Sequence, residues 1–399
     1  MIEMTLRYKK FLLYIIAFLF FTGCVAKIEK PGVSLVPITA REYPSLVDDL
    51  DRETLELAVA RSLEYYERLP EMRVYRFGDN DYTIEELKES LLEFREITRT
   101  SDSDETVEKR IRDTFDIYKA IGNDGKGTVL FTGYYAPVLR GSLKETPEYR
   151  YPIYRTPDDH IVINLKEFNS KYKGQRIIAR FENGKVIPYY TREDIDSKGC
   201  LKGRDLEIAW FADPVDLFFL HIQGSGVVSL SDGTYINVSY AQCNGHPYQS
   251  VGRLLIDQEK IPPDEMSLKR IKEYLREHPE EMSDVFGHNK SYVFFRIVEE
   301  GPVGSLNVPV TAGRTIATDP TQFPKGAIAF IKTKKPVIDK DGNIIWWMPF
   351  SRFVLNQDTG GAIVGPGRVD LFCGTGINAG IMAGHLKEDG ELYFLVKKK

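Results

Sequence analysis

Apolar positions in the first third of the chain recur at helical spacing. Leu55, Val59, Leu63 and Tyr66 form one stripe, Ile84, Leu87, Leu91 and Phe94 a second, and Val107, Ile111, Phe115 and Tyr118 a third. Residues three and four apart share a helix face, so each stripe predicts a helix packed on a core. The second has its own start signal, because Thr83 followed three residues on by Glu86 is a capping box. From about residue 128 the texture changes to short apolar runs broken by Gly, Pro, Asn and Asp, which predicts strands at 129–135, 184–190 and 234–240. A helical stretch is predicted between about 250 and 281, around Leu268, Ile271 and Leu275. Strands follow at 292–297, 327–331, 344–347, 361–364 and 392–396, with Asp341-Gly342-Asn343 as a hairpin turn. Many short strands with glycine-rich corners favour a barrel over an open sheet.

The N-terminus carries a different pattern. Arg7, Lys9 and Lys10 precede an apolar run over 11–21, and Thr22-Gly23-Cys24 follows. That run falls short of the roughly 20 apolar residues a membrane span needs, and it fits the core of a signal peptide. A cysteine directly after small residues resembles the bacterial lipobox, in which it is lipidated and becomes the new N-terminus. Phe21 departs from that pattern, which usually has leucine there. An ordinary cleaved signal peptide and an uncleaved anchor are the alternatives. Val25, where aspartate commonly retains a lipoprotein in the inner membrane, points to the periplasmic face of the outer membrane. Pro31, Pro37 and Pro44 then read as an extended linker.

Composition narrows the classes. The 399 residues are 42% hydrophobic and 28% charged, with net charge −5 and no basic block, which weighs against a nucleic-acid binder. Beyond Cys24 only Cys200, Cys243 and Cys373 remain, too few for a disulfide framework. The six histidines show no pair at metal spacing and no CxxC accompanies them, so neither a metal nor an organic cofactor is expected. Trp210, Trp346 and Trp347 are expected in the core.

Candidate chemistry concentrates near the C-terminus. Asp319 closes Ala317-Thr318-Asp319, Asp358 opens Asp358-Thr359-Gly360-Gly361-Ala362-Ile363, and Asp370 centres Arg368-Val369-Asp370-Leu371-Phe372. A carboxyl partly desolvated by Val369, Leu371 and Phe372 would stay protonated near neutral pH, as general acid catalysis requires. Capping a turn is an equal alternative for Asp358 and Asp370, and the preferred one for Asp319 beside Pro320. The string Gly374-Thr375-Gly376-Ile377-Asn378-Ala379 fits a dinucleotide fingerprint, but too little chain follows for a βαβ unit. Gly224-Ser225-Gly226 is no nucleophile elbow, because Gln223 stands where that motif needs glycine.

These three settings resemble the "three-Asp" (3D) domain, a double-psi β-barrel. Upstream, Thr132-Gly133-Tyr134-Tyr135-Ala136-Pro137, then 211–216 running into His221-Ile222-Gln223-Gly224-Ser225-Gly226, then Asn244-Gly245-His246-Pro247-Tyr248, resemble the membrane-bound lytic transglycosylase A family. The stretches 291–295 and 301–304 agree as well. The resemblance implies a mainly β chain with N-terminal helices. A barrel domain would be built from 25–136 and 301–399, and a second β-domain inserted over 137–300, with a groove for a glycan strand between them. It implies cleavage of the β-1,4 bond between N-acetylmuramic acid and N-acetylglucosamine in peptidoglycan without added water, Asp370 being the acid and base and Asp358 its companion. Tyr134, Tyr135, Gln223, Ser225 and Asp319 become substrate-binding candidates, and peptidoglycan and the membrane the partners.

Three other readings stay open at this level. A hydrolase would use Asp370 as acid and Asp358 as base through water. A lipoprotein could grip peptidoglycan without cutting it, since barrels of this type serve several functions. An aspartic-protease-like pair fits worst, because only Asp358-Thr359-Gly360 resembles one half of that symmetric site.

Overall fold

The computed structural model describes residues 34–339 and 343–399. Cys24 and the rest of the leader lie outside the described residues, as does most of the 341–343 turn. In chain order, β1 (Val129–Ala136) opens a barrel. A second sheet holds β2 (Val138–Ser142), β3 (Tyr151–Tyr154), β4 (Glu207–Phe211), β5 (Ser225–Ser229), β6 (Tyr235–Cys243) and β7 (Val293–Val298). The barrel is completed by β8 (Thr315–Ala317), β9 (Ile328–Ile338), β10 (Ile344–Asp358), β11 (Arg368–Thr375) and β12 (Lys387–Lys397).

The barrel closes as a ring in the order β12, β9, β10, β8, β11, β1 and back to β12. Two of its pairings, β8 with β10 and β1 with β11, are parallel, and the rest are antiparallel. This is the double-psi barrel the resemblance implied. Closure removes the free sheet edges. Phe131, Ile316, Phe330, Phe353, Leu355, Val369, Leu371 and Phe394 are buried at 0–5% exposure on the two faces of these strands, Phe330 and Phe353 on the face opposite to Phe394. Burying each such side chain contributes about 1.5–3 kcal/mol.

Three helices lie on this core: α1 (Arg52–Glu67), α2 (Ile84–Thr100) and α3 (Asp104–Thr114). The capping box forms in both directions, with Thr83 Oγ1 accepting from Glu86 N (3.2 Å) and Glu86 from Thr83 N (2.7 Å). Phe94 of α2 meets Phe353 edge-on at 5.0 Å. The third stripe was expected to stay helical through Tyr118, but the helix stops at Thr114. Residues Phe115–Ala120 instead form a strand on the flank of β12, which holds Phe115, Ile117 and Tyr118 in the core. Aromatic and β-branched residues suit a pleated surface, and pairing with β12 outweighs the local period.

The second sheet runs in the order β7, β6, β5, β2, β4, β3. Only Pro137 separates β1 from β2, so the chain passes straight from barrel to sheet. A short helix, α4 (Arg192–Asp196), precedes β4. The helix after β4, α5 (Pro214–Gln223), was not foreseen, although its signals are local. Asp213 accepts from Val215 N and Asp216 N, Pro214 occupies the first turn, and Gly224 ends the helix at φ +75°. Helices α6 (Val251–Asp257), α7 (Leu268–Glu277) and α8 (Met282–His288) form with α5 a small core around Phe218, Leu255, Leu275 and Val285. A three-stranded sheet (Ile161–Asn164, Arg176–Glu182, Lys185–Pro188) packs through Ile178 on a separate core with Tyr189, Tyr292 and Phe294.

Two further expectations are corrected. Residues 361–364 form a turn, not a strand: Ile363 N bonds Gly360 O, and Asp319 holds Gly365 N. Trp346 lies on the far end of β10 and is 50% exposed, since β10 outruns the barrel there. The final glycine string does lead from strand into helix, β11 into Ile377–His385, but β12 then returns antiparallel and no βαβ unit forms. No helix among the described residues is long and apolar enough to cross a membrane.

Candidate active site

Strand register brings the candidate acids together. Ala317 of β8 stands opposite Asp370 on one side and Asp358 on the other, and Asp370 stands opposite Thr132 of β1. Thr132, Asp370, Ala317 and Asp358 thus lie in a row across four neighbouring strands. Two strand spacings separate the aspartate backbones, roughly 10 Å.

The surroundings of Asp370 differ from expectation. Successive residues of a strand face opposite ways, and Val369 and Leu371 turn into the barrel core at 0% and 5% exposure. They do not cover the carboxyl. Its own face of β11 carries Arg368 and Phe372, the latter packed against Tyr134 at 5.2 Å between centroids. The Thr132 hydroxyl donates to Asp370 Oδ1, and Arg368 Nε donates to the same oxygen at 3.1 Å. Among the described residues Oδ2 has only a long contact, 3.5 Å, from Arg368 Nη2. Arg368 is itself fastened to the glycine loop through Ala362 O (3.2 Å).

Asp358 is held far more tightly. Oδ1 accepts from the backbone amides of Ser305 and Thr359, both at 2.8 Å, and Oδ2 from the Tyr134 hydroxyl at 2.9 Å. Burial pushes this carboxyl above the usual range, with the three donors opposing it. Burial and the neighbouring carboxylate of Asp358 also drive the Tyr134 phenol well up. Gly304 lets the 301–310 loop come this close, since a Cβ there would meet Gln357 O and Val310 at 2.9 Å. Lys325 also approaches Asp358: burial and the like charge of Arg73 hold its ammonium below the usual range, and the carboxylate works against them.

Asp319 is 7% exposed and saturated: Oδ1 accepts from Thr321 N (2.8 Å) and Oγ1 (2.7 Å), Oδ2 from Gly365 N (2.7 Å). It caps its own turn and clamps the glycine loop between β10 and β11.

The crossing from barrel to second sheet is pinned on both sides. Ala136 O accepts from Gly376 N of the barrel (2.9 Å) and Pro137 O from Val227 N of β5 (2.8 Å). Gln223, at the last turn of α5, adds its Oε1 to Tyr135 N (3.1 Å). Tyr134 and Tyr135 point opposite ways, as adjacent strand residues must. Tyr134 reaches Asp358, whereas Tyr135 is 7% exposed and packs with Ala379 and Ala383 of the last helix, α9 (Ile377–His385). Ser225, also 7% exposed, opens β5 opposite Ser239 and is largely covered. His221 is buried and held neutral, its pKa pushed well down by burial.

Four neighbours of the row were not singled out from sequence: Thr132, Arg368, Lys325 and Tyr248. The first two were legible, because Arg368 is two residues from Asp370 on one strand face and Thr132 opens a quoted motif. Tyr248, from the second sheet's flank, is pushed up by burial while the Arg368 guanidinium pulls the other way. The nearest approach to a metal-ligand set among the described residues is His278 with Glu280 and Glu281 on the surface. Glu281 there is already engaged by Lys260 (2.8 Å) and Tyr274 (2.6 Å).

Comparison with known proteins places these features. Residues 130–296 match the model of the MltA specific insert domain, and 314–396 that of the 3D domain. Membrane-bound lytic murein transglycosylase A of Escherichia coli (strain K12) is 31% identical over 283 residues, covering 70% of this chain and 69% of that protein. The crystal structure of a membrane-bound lytic murein transglycosylase from Agrobacterium tumefaciens superimposes with a TM-score of 0.75 at 31% identity, covering 91% of this chain and 98% of that one. MltA from Neisseria gonorrhoeae, in a monoclinic crystal form, gives a TM-score of 0.66 at 29% identity, over 91% and 92%. With its insert sheet, its closed barrel and its row of aspartates, the chain belongs to the membrane-bound lytic murein transglycosylase A family.

Proposed function

We propose that this chain is a peptidoglycan lytic transglycosylase, with Asp370 as its single acid and base. It cleaves the β-1,4 bond between N-acetylmuramic acid and N-acetylglucosamine. Asp370 first gives its proton to the glycosidic oxygen, which leaves C1. The muramic C6 hydroxyl then closes onto C1, passes its proton to the Asp370 carboxylate, and leaves a 1,6-anhydro end without adding water. The substrate supplies the nucleophile, so a second carboxylate is dispensable.

One observation carries the assignment to Asp370. Asp319 and Asp358 spend both oxygens on close donors that include backbone amides, whereas among the described residues no backbone amide donates to Asp370 and its Oδ2 has only the 3.5 Å contact. Thr132 and Arg368 orient it. The occupied oxygens of Asp358 weigh against a water-activating base there, so it is a positioning group. Tyr134 and Gln223 border the sugar path, and Tyr135, Ser225 and Asp319 shape it through their neighbours. This reading divides the chain into a barrel domain of 25–136 and 301–399 and an inserted domain of 137–300, the glycan lying between them. The mature N-terminus is Cys24, lipidated at the periplasmic face of the outer membrane; the leader pattern and the relatives' membrane-bound name support it.

The test is mass spectrometry of purified peptidoglycan digested by the chain from residue 25. Anhydro-muropeptides from the wild type, lowered by at least about 100-fold in Asp370→Asn, are the expected outcome. Products ending in reducing sugars, or a fully active Asp370→Asn, would overturn it.

A further inference from the structure

The three-stranded sheet of residues 161–188 has an outward face unlike the rest of the surface. Its inward face packs Ile178 against Gly245 and lays Arg180 over the Tyr190 ring at 3.9 Å. Its outward face carries Ile161, Ile163, Ile177, Phe181 and Val186, since the register sets Ile163 opposite Ile177 and Val186 opposite Phe181. A solvated face of an antiparallel sheet is ordinarily polar. Here Ile177 is 47% exposed, Val186 54% and Phe181 64%. The loop joining the first two strands adds Phe168, the most exposed aromatic of the patch at 77%, and Tyr172.

Charge identifies the occupant. Residues 161–188 hold six basic side chains against two acidic ones, in a chain whose net charge is −5. Lys166, Lys171 and Lys173 interleave with Phe168 and Tyr172 in the loop, and Lys171 lies over the Tyr172 ring at 4.6 Å. Lys185 stands at the hairpin tip at the other end of the sheet. Among the described residues none of these four lysines is in an ion pair, whereas Glu182 is neutralised by Arg180. Aromatic and aliphatic side chains rimmed by exposed lysines are the composition of a surface that enters a lipid headgroup layer, the rings and alkyl groups dipping in while the ammonium groups meet phosphates.

We infer that this sheet is a membrane-docking face, which seats its apolar residues in an anionic phospholipid surface and is distinct from any N-terminal anchor. Its function is to hold the inserted sheet against the bilayer, so that the enzyme's orientation relative to the wall is set at two points and not at one.

The test uses the chain from residue 25, which lacks Cys24 and keeps every element described above. It is sedimented with vesicles of phosphatidylglycerol and phosphatidylethanolamine, and separately with phosphatidylcholine alone. Binding to the anionic vesicles only, weakened by salt, is expected. The triple variant Lys166→Ser, Lys171→Ser, Lys173→Ser should lower the partition constant by about 100-fold, and Phe168→Ser with Phe181→Ser by at least about tenfold. Both variants should digest sacculi in solution at the wild-type rate, which keeps this result separate from the catalytic reading. Salt dependence of the wild type needs no variant and survives if one misfolds. Absence of anionic-vesicle binding, or equal binding by the lysine variant, overturns the inference. So does a self-associating chain that Phe181→Ser renders monomeric, which would assign the face to a second copy.

Discussion

At the scale of single residues the site is a contrast between two aspartates on strands that flank β8. Asp358 is buried and its carboxyl is raised, so it binds a proton more tightly folded than unfolded. The sign follows directly: its contribution to stability is fully present below the unfolded value and is lost as pH rises through the folded value. Asp358→Asn removes that loss. The amide oxygen still accepts from Ser305 N and Thr359 N, and its NH2 faces a Tyr134 hydroxyl that can turn to accept. Melting temperatures at pH 4 and pH 8 should therefore diverge, the variant gaining on the wild type at the higher pH. If the wild type gains instead, the carboxylate is net stabilising. The variant should also keep its rate of anhydro-product release within about tenfold, because a positioning group is not consumed. Inactivity as deep as that of Asp370→Asn would restore the two-carboxylate hydrolase. The aspartates themselves were legible because their glycine and apolar settings are local. What separates their roles was not, because the donors come from Ser305, Tyr134 and Thr132, distant in sequence and joined only by barrel register.

At the scale of elements, local signals succeeded wherever the element makes its own contacts. Thr83 and Glu86 announce α2 because both partners lie within one turn; Asp213-Pro214 with Gly224 bracket α5 by signals just as local, although that helix was not foreseen. The stripe running through Phe115 and Tyr118 failed because β12, some 280 residues on, recruits those side chains into a sheet. The loop between β10 and β11 belongs to the same class. Its apolar run Ala362-Ile363-Val364 suggested a strand at 361–364, yet what shapes it is the Asp319 carboxylate from the turn after β8. Asp319 gives Gly365 N its partner at 2.7 Å and fixes Thr321 through two further bonds. Asp319→Ala strands those donors and should lower stability by about 2–3 kcal/mol. Hydrogen exchange reads the loop directly: amides of residues 360–367 should lose protection while those of β9 and β12 keep theirs. Unchanged protection at Gly365 would show that the loop holds its shape without the clamp, and Asp319 would return as a candidate for direct contact with sugar.

At the scale of the whole molecule, the segment before the first helix is part of the barrel and not a tether leading to it. Composition reads the prolines through Pro44 as an extended linker, and that reading gives out already at Leu35–Pro37, a strand paired with residues 118–120 in which Leu35 is 2% exposed. Further on, Leu46 is 1% exposed, and residues 48–51 are held by Arg314, whose side chain is fully buried beside β8. Its guanidinium donates to Asp48 Oδ2 (2.6 Å), Phe353 O (2.8 Å) and Asp51 O (2.6 Å), and Asp48 also accepts from Phe353 N (3.0 Å). Next to it, Asp49 binds Arg352 Nε and Nη2 at 2.7 and 2.8 Å and Lys335 at 2.7 Å. A buried cation that loses its anion costs far more than the pair contributes, so Asp48→Ala should lower unfolding free energy by about 3–5 kcal/mol. An exposed pair, such as Arg76 with Asp81, should leave it nearly unchanged when broken, because solvent screens the charges. Urea titrations of Asp48→Ala and Asp81→Ala compare the two. The strand of Phe353 also carries Asp358, and that of Thr315 and Ala317 pairs with Asp370, so loosening Arg314 should lower anhydro-product release as well as stability. If Asp48→Ala melts like Asp81→Ala, the 46–51 segment is a tether after all, and the barrel holds its acids in line without it.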